Sequence, residues 1–144
     1  MDEALEEGRK HALQFRVPDS KTVPQLYPES DIIRQMPAVF ATGFLVGLVE
    51  WACIDLVTPY LDFPDELTVG THIDISHESP TPPGVEVTVQ VELREIVGNR
   101  LFFETVAHDT MTTISHGSHE RAVVDKESFT KRANLKSQRP GAEE

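Results

Sequence analysis

Glu50 stands in the most apolar stretch of the chain, Ala38 to Leu61, where from Ala38 to Ile54 only Thr42, Gly43, Gly47 and Glu50 fall outside the hydrophobic class. A carboxylate buried there costs on the order of several kcal/mol unless it is paired or protonated. It either serves the structure, by bonding a backbone amide or a partner subunit, or it does chemistry, because acids in perturbing surroundings gather at sites. Thr42 precedes it by eight residues. On a helix of ~3.6 residues per turn that is an offset of about 80°, so the two can line one groove. The simpler use of Thr42 is as an N-cap, although the capping-box acid expected three residues on is replaced by Leu45. His77 is the third candidate. It holds an odd position in a run whose odd positions are otherwise mostly apolar, which points it inward, where a lone histidine is commonly a satisfied core residue. If Thr42 ends the loop before a helix, the free amides of the first turn can donate to a carbonyl oxygen and stabilise charge developing on it. The chemistry open to such a set is proton transfer at a carbonyl group.

Other chemistries find less support. His116 and His119 are three apart, which on a strand puts them on opposite faces and disfavours a two-histidine metal pair. No Gly-rich phosphate loop or Gly-x-Ser-x-Gly elbow occurs, and Cys53 lies inside the apolar run, where an inert thiol is expected. Neither a metal nor an organic cofactor is implied. Gly43 and Gly47, spaced i, i+4, leave one side of the expected helix bare, either for close packing on a sheet or for a thin substrate arm.

The elements that must position these residues follow from periodicity. The apolar run predicts a helix over about 42 to 58, apolar around most of its circumference and therefore covered on nearly every side. Glu50, Asp55 and Pro59 argue against a membrane span. Leu67 to His77, Val85 to Leu93, Leu101 to Asp109 and Ile114 to Val124 alternate with period two or carry strand residues, the last interrupted by Gly117, and His11 to Val17 predicts an earlier strand. Pro80 to Gly84 and Val97 to Arg100 supply turns. Adjacent strands around one helix indicate an α+β domain with an antiparallel sheet wrapped around a central helix. It is read as one domain over residues 1–128, followed by a basic, flexible tail over 129–144 in which Lys131, Arg132, Lys136 and Arg139 gather.

Composition narrows the partners. Of 144 residues, 13 are Lys or Arg and 24 Asp or Glu, so the net charge of -11 repels nucleic acid and anionic lipid. The single cysteine forbids an intrachain disulfide, and an acidic opening replaces the basic and apolar segments of a secretory signal. A cytoplasmic protein with no nucleic-acid or membrane partner is expected.

Five segments then carry a resemblance: Lys21-Thr22-Val23 with Leu26-Tyr27-Pro28-Glu29-Ser30, Val39-Phe40-Ala41-Thr42-Gly43-Phe44, Glu50-Trp51-Ala52-Cys53, Thr81-Pro82-Pro83-Gly84, and His119-Glu120-Arg121-Ala122-Val123. In this order and spacing, over about Lys21 to Phe129, the chain resembles the fluoroacetyl-CoA thioesterase family. The resemblance implies the hot-dog fold, a homodimer, and a catalytic set of Thr42, Glu50 and His77. It also implies substrate contacts at Gly70 and Arg121, and at a lid position where the family's selective members carry an aromatic residue and this chain has Met36. The expected activity is hydrolysis of a short acyl-CoA to the carboxylate and free CoA, with Arg121 meeting the CoA phosphates and the tail cations Lys131, Arg132 and Lys136 as further candidates for that contact. The alternative is a non-catalytic hot-dog module that binds acyl-CoA or another small apolar ligand; a hydratase on the same fold finds no suitable Asp and His pair.

Overall fold

Val87, Val89, Val91 and Leu93 take alternate positions of one run, and a strand that buries every second side chain must lie against an apolar partner. In the computed structural model, which describes residues 1–138, that partner is a single helix. Helix α1 (Thr42–Val57) lays Leu45, Leu48, Val49, Ala52, Cys53, Leu56 and Val57 against the sheet. Strands β1 (Lys10–Arg16), β2 (Glu66–Ile75), β3 (Glu86–Val97), β4 (Arg100–His108) and β5 (Thr113–Asp125) pair antiparallel in the order β1-β3-β4-β5-β2. The inner face adds Leu101, Phe103 and Ala107 of β4 and Ile114 of β5 to the four residues of β3. Gly98 and Asn99 form the two-residue turn between β3 and β4, with Gly98 at φ +61°, as that hairpin geometry requires.

Most expected boundaries agree with these to within a few residues, and four differences have physical causes. The strand expected to run through His77 stops at Ile75, and a bulge between Gly70 and His72 shifts its alternation. Helix α1 is covered on one side only: Thr42, Gly43, Gly47 and Trp51 are exposed, because five strands of one chain line a single face of it. Gly117 does not break β5. It lets β5 cross β2 closely, since a Cβ there would sit 2.1 Å from the Asp74 carbonyl oxygen. The described part of the tail is helical: α2 (Lys126–Gln138) starts on Asp125, whose carboxylate accepts from the Ser128 amide at 2.9 Å, a capping bond. The boundary expected at 128/129 therefore falls inside α2, and Arg139 to Glu144 lie outside the described residues. By length and composition Thr42–Tyr60 could cross a membrane, yet one face of this segment builds the core.

Candidate active site

The N-cap of α1 is Ala41, so Thr42 is the first helical residue and its hydroxyl is not used for capping. It meets His77 instead, with Oγ1 2.7 Å from Nδ1. The chain on either side of α1's start is held in place: the Ala41 amide donates to Lys21 O at 3.1 Å and the Phe40 amide to Thr81 O at 2.8 Å. His77 reaches Thr42 although its strand has ended. The Ser76 amide donates to His116 O at 2.9 Å and the Glu78 amide to Ile114 O at 2.7 Å, so the segment keeps running along β5. Burial pushes the His77 imidazole below its ordinary pKa, which leaves it neutral and able to accept a proton at neutral pH. Its Nε2 is buried without a partner among the described residues.

Glu50 belongs to a second cluster. Its Oε1 accepts from Arg121 Nη1 at 2.9 Å, and the two side chains are 39% and 4% exposed. Arg121 is otherwise committed inward: Nε donates to Thr68 Oγ1 at 2.8 Å, Nη2 to Thr68 O at 3.0 Å, and Nη1 also to His119 Nε2 at 3.1 Å. Glu50 is part-exposed rather than buried as expected, because α1 is covered on one side only, and its compensation is a single nitrogen of the Arg121 guanidinium. Gly70 sits against it on β2, where a Cβ would lie 2.7 Å from Glu50 Oε1 and 3.4 Å from Arg121 Nη1. Val46, Glu50, Gly70, His72, Ile73 and His119 are among the residues lining the cleft, of about 240 Å³. Cys53, on the same helix, is fully buried, and desolvation pushes its thiol up to about 12, against a smaller lowering by Arg121.

The expected residues therefore fall into two groups. Thr42 and His77 touch, and Glu50, Gly70 and Arg121 touch, but no hydrogen bond among the described residues links one group to the other. Eight residues at ~1.5 Å rise separate Thr42 from Glu50 by about 12 Å along the helix. Met36, 43% exposed at the end of a one-turn helix over Ile33–Gln35, is not among the residues lining the Glu50 cleft. Arg121 does not stand open to phosphates as expected; it is buried and supports Glu50. Lys131 of α2 pairs with Glu127 at 3.1 Å, and Arg132 lies over the Phe129 ring. The residue that spacing passed over is His119. It stands two positions from Arg121 on β5, and two positions on a strand share a face.

The fluoroacetyl-CoA-specific thioesterase family profile matches residues 19–127. The chain belongs to this family. A fluoroacetyl-CoA thioesterase of Streptantibioticus cattleyicolor is 45% identical over 137 residues, 95% of this chain and 98% of that one. A threonine-to-serine variant of a fluoroacetyl-CoA thioesterase, solved with acetyl-CoA, superposes with TM-score 0.89 at 45% identity, over 92% of this chain and 98% of its own. A hot-dog-like protein from Thermanaerovibrio acidaminovorans, 21% identical over 91% and 92% of the two chains, shares the fold with TM-score 0.76. As a member of the fluoroacetyl-CoA-specific thioesterase family, the chain is a hot-dog thioester hydrolase.

Within this member of the family, Gly70→Ala is expected to push Glu50 off Arg121, since the new Cβ would sit 2.7 Å from Oε1 and the part-exposed carboxylate is the group free to move away. Turnover should fall by about tenfold or more, the scale on which sub-ångström misplacement acts, with the fold intact. Steady-state kinetics beside a thermal melt would check it; unchanged turnover would separate Glu50 from the chemistry.

Proposed function

We propose that this thioesterase hydrolyses short acyl-CoA esters in the cytoplasm as a homodimer whose catalytic set is completed between subunits. The observation that carries the reading is the Thr42 hydroxyl 2.7 Å from a neutral imidazole, at the N-terminus of a helix. The first-turn amides, which have no intrahelical acceptor, face the position where a thioester carbonyl develops negative charge. Thr42 and His77 hold and pass a proton there, and Glu50, oriented by Arg121 through Oε1, acts on the carbonyl carbon either directly or through a water. The C–S bond breaks and the CoA sulfur takes the proton; the new carboxylate oxygen comes from water in the water-activated route, and in the direct route from water or from Glu50, whose lost oxygen water then replaces. Single turnover in ¹⁸O-labelled water tests the direct route, because hydrolysis of the anhydride at the Glu50 carbonyl leaves label in Glu50, which water activation never does.

Two features support the dimer. The exposed face of α1 has nothing within 4 Å of a Cβ on Gly47, and β2 is an edge strand whose residues Gly70 to Asp74 are exposed. Two such helices packed antiparallel across a twofold axis bring Thr42 and His77 of one protomer towards Glu50 of the partner subunit. The test of function is thiol release from a panel of short acyl-CoAs: hydrolysis of at least one, abolished by Glu50→Gln, is expected. Thermal protection by an ester that is never cleaved would instead identify a binding module.

Specificity should be broad. Methionine is unbranched and adapts to several shapes, so with Met36 in the lid segment acetyl, propionyl and fluoroacetyl esters are expected within the ~10- to 200-fold range that an apolar pocket can discriminate. Met36→Phe should narrow the acceptance, read as kcat/KM across the same panel; a strong native preference for fluoroacetyl-CoA would remove Met36 from the argument. Acid should act on both activity and stability. Burial lowers the His77 and His119 pKa values below 6.5, so the unfolded chain takes up protons before the folded one does. Their contribution to stability is complete above that value and is lost as pH falls through the lower folded ones. The acid limb of kcat/KM is accordingly expected below pH 6.5, and a limb above it would show that His77 is not the base.

A further inference from the structure

His119 is 3% exposed, and both of its ring nitrogens are occupied. Nδ1 lies 2.7 Å from the His72 carbonyl oxygen, which can only accept, so Nδ1 carries the proton. Nε2 lies 3.1 Å from Arg121 Nη1, which can only donate, so Nε2 is bare. Two partners with fixed roles therefore impose one tautomer on a neutral ring. The ring plane is set by Phe103, stacked at a centroid distance of 6.4 Å and 28°. The carbonyl that orients the ring belongs to His72, at the bulge of β2 just beyond Gly70.

The same guanidinium nitrogen serves Glu50. Arg121 Nη1 has two hydrogens, and the geometry spends one on Glu50 Oε1 and the other on His119 Nε2. With Nε and Nη2 anchored on Thr68, the imidazole is the remaining contact that sets the rotation of the fork about its long axis. We infer that His119 is a positioning residue for the thioesterase reaction: through its bare Nε2 it orients Arg121 Nη1, and Arg121 in turn presents Glu50 to the cleft. The inference rests on the reading of Glu50 as the reacting carboxylate. His119 acts through Arg121 and is assigned no contact with substrate.

The test pairs His119→Phe, which keeps the ring stacked on Phe103 and removes the acceptor, with His119→Gln, whose amide oxygen can reach the position of Nε2. His119→Phe should lower kcat about tenfold or more with KM for acyl-CoA little changed, and His119→Gln should recover most of the loss. A simple packing role predicts the reverse order, because Phe fills the site better than Gln. Parent-like kcat in His119→Phe, or equal losses in both variants, overturns the proposal. If His119→Phe does not fold, ¹⁵N spectra of histidine-labelled parent protein decide: one ring, absent from His119→Gln, must be the neutral Nδ1–H tautomer at neutral pH. A protonated ring or an Nε2–H tautomer overturns the proposal. The tautomer is read without substrate, so a failure of the Glu50 reading, seen as parent-like turnover in Glu50→Gln, stays distinguishable from a failure of His119.

Discussion

Thr42→Ala and Glu50→Gln chains, each inactive alone, should regain about a quarter of parental turnover when unfolded together and refolded as a mixture, given random pairing in a twofold dimer. Within one chain, Thr42 with His77 and Glu50 with Arg121 form separate clusters on α1. If the reacting set combines the first cluster of one subunit with the second of the other, a mixed dimer holds one doubly damaged site and one undamaged site. Half of the dimers are mixed and half of their sites work. If each site is built within one chain, every site in the mixture carries a lesion and nothing returns. Turnover of the remixed sample against each variant alone reads the difference directly. No recovery, with mixed dimers shown to be present, would place the whole set in a single subunit.

Arg121→Met should give the second large effect. Removing the guanidinium leaves the Glu50 carboxylate, the Thr68 carbonyl and His119 Nε2 without their donor. Breaking a fully buried pair costs ~3 to 5 kcal/mol, and the 39% exposure of Glu50 reduces the expectation here to about 2 to 3 kcal/mol. For a chain of this size that corresponds to a melting temperature lower by about 5 to 10 °C. Turnover should fall about a hundredfold, the scale of a misoriented reacting group. Arg121→Lys should recover little, because a point charge cannot make the forked set of bonds to Thr68, Glu50 and His119. A parental melting temperature with only KM raised would show that Arg121 meets the CoA phosphates after all.

Sequence periodicity is informative where one face is buried and the backbone is regular. The α1 run, the β3 alternation and the Gly98-Asn99 hairpin are of that kind, and their residues lie where periodicity puts them. Periodicity fails at the bulge in β2, because one extra residue inverts the faces beyond it; His77 meets Thr42 through the pairing of its loop with β5, not through strand phase. The contacts of Arg121 were hidden for another reason. A buried arginine is recognised by its acceptors, and here one is a main-chain carbonyl, while Thr68, Glu50 and His119 come from three different elements. His119 was passed over because metal spacing pairs it with His116, whereas strand geometry pairs it with Arg121. The uncovered face of α1 could not be read from one chain at all, since an apolar helix looks the same whether its own sheet or another subunit covers it.

The placement of Cys53 bears on how such a protein survives its own substrates. Activated thioesters transfer their acyl groups to any accessible thiolate, and an acylated enzyme thiol would be a dead-end by-product. Cys53 is the chain's one thiol, a single turn along α1 from Glu50, yet it points into the sheet with no exposed surface and is held protonated far above physiological pH. Self-acylation is thereby shut out by burial alone, because at i, i+3 spacing the thiol is a close neighbour of Glu50 on the same helix. Reagents that report free CoA by its sulfhydryl group consequently see the product and not the catalyst.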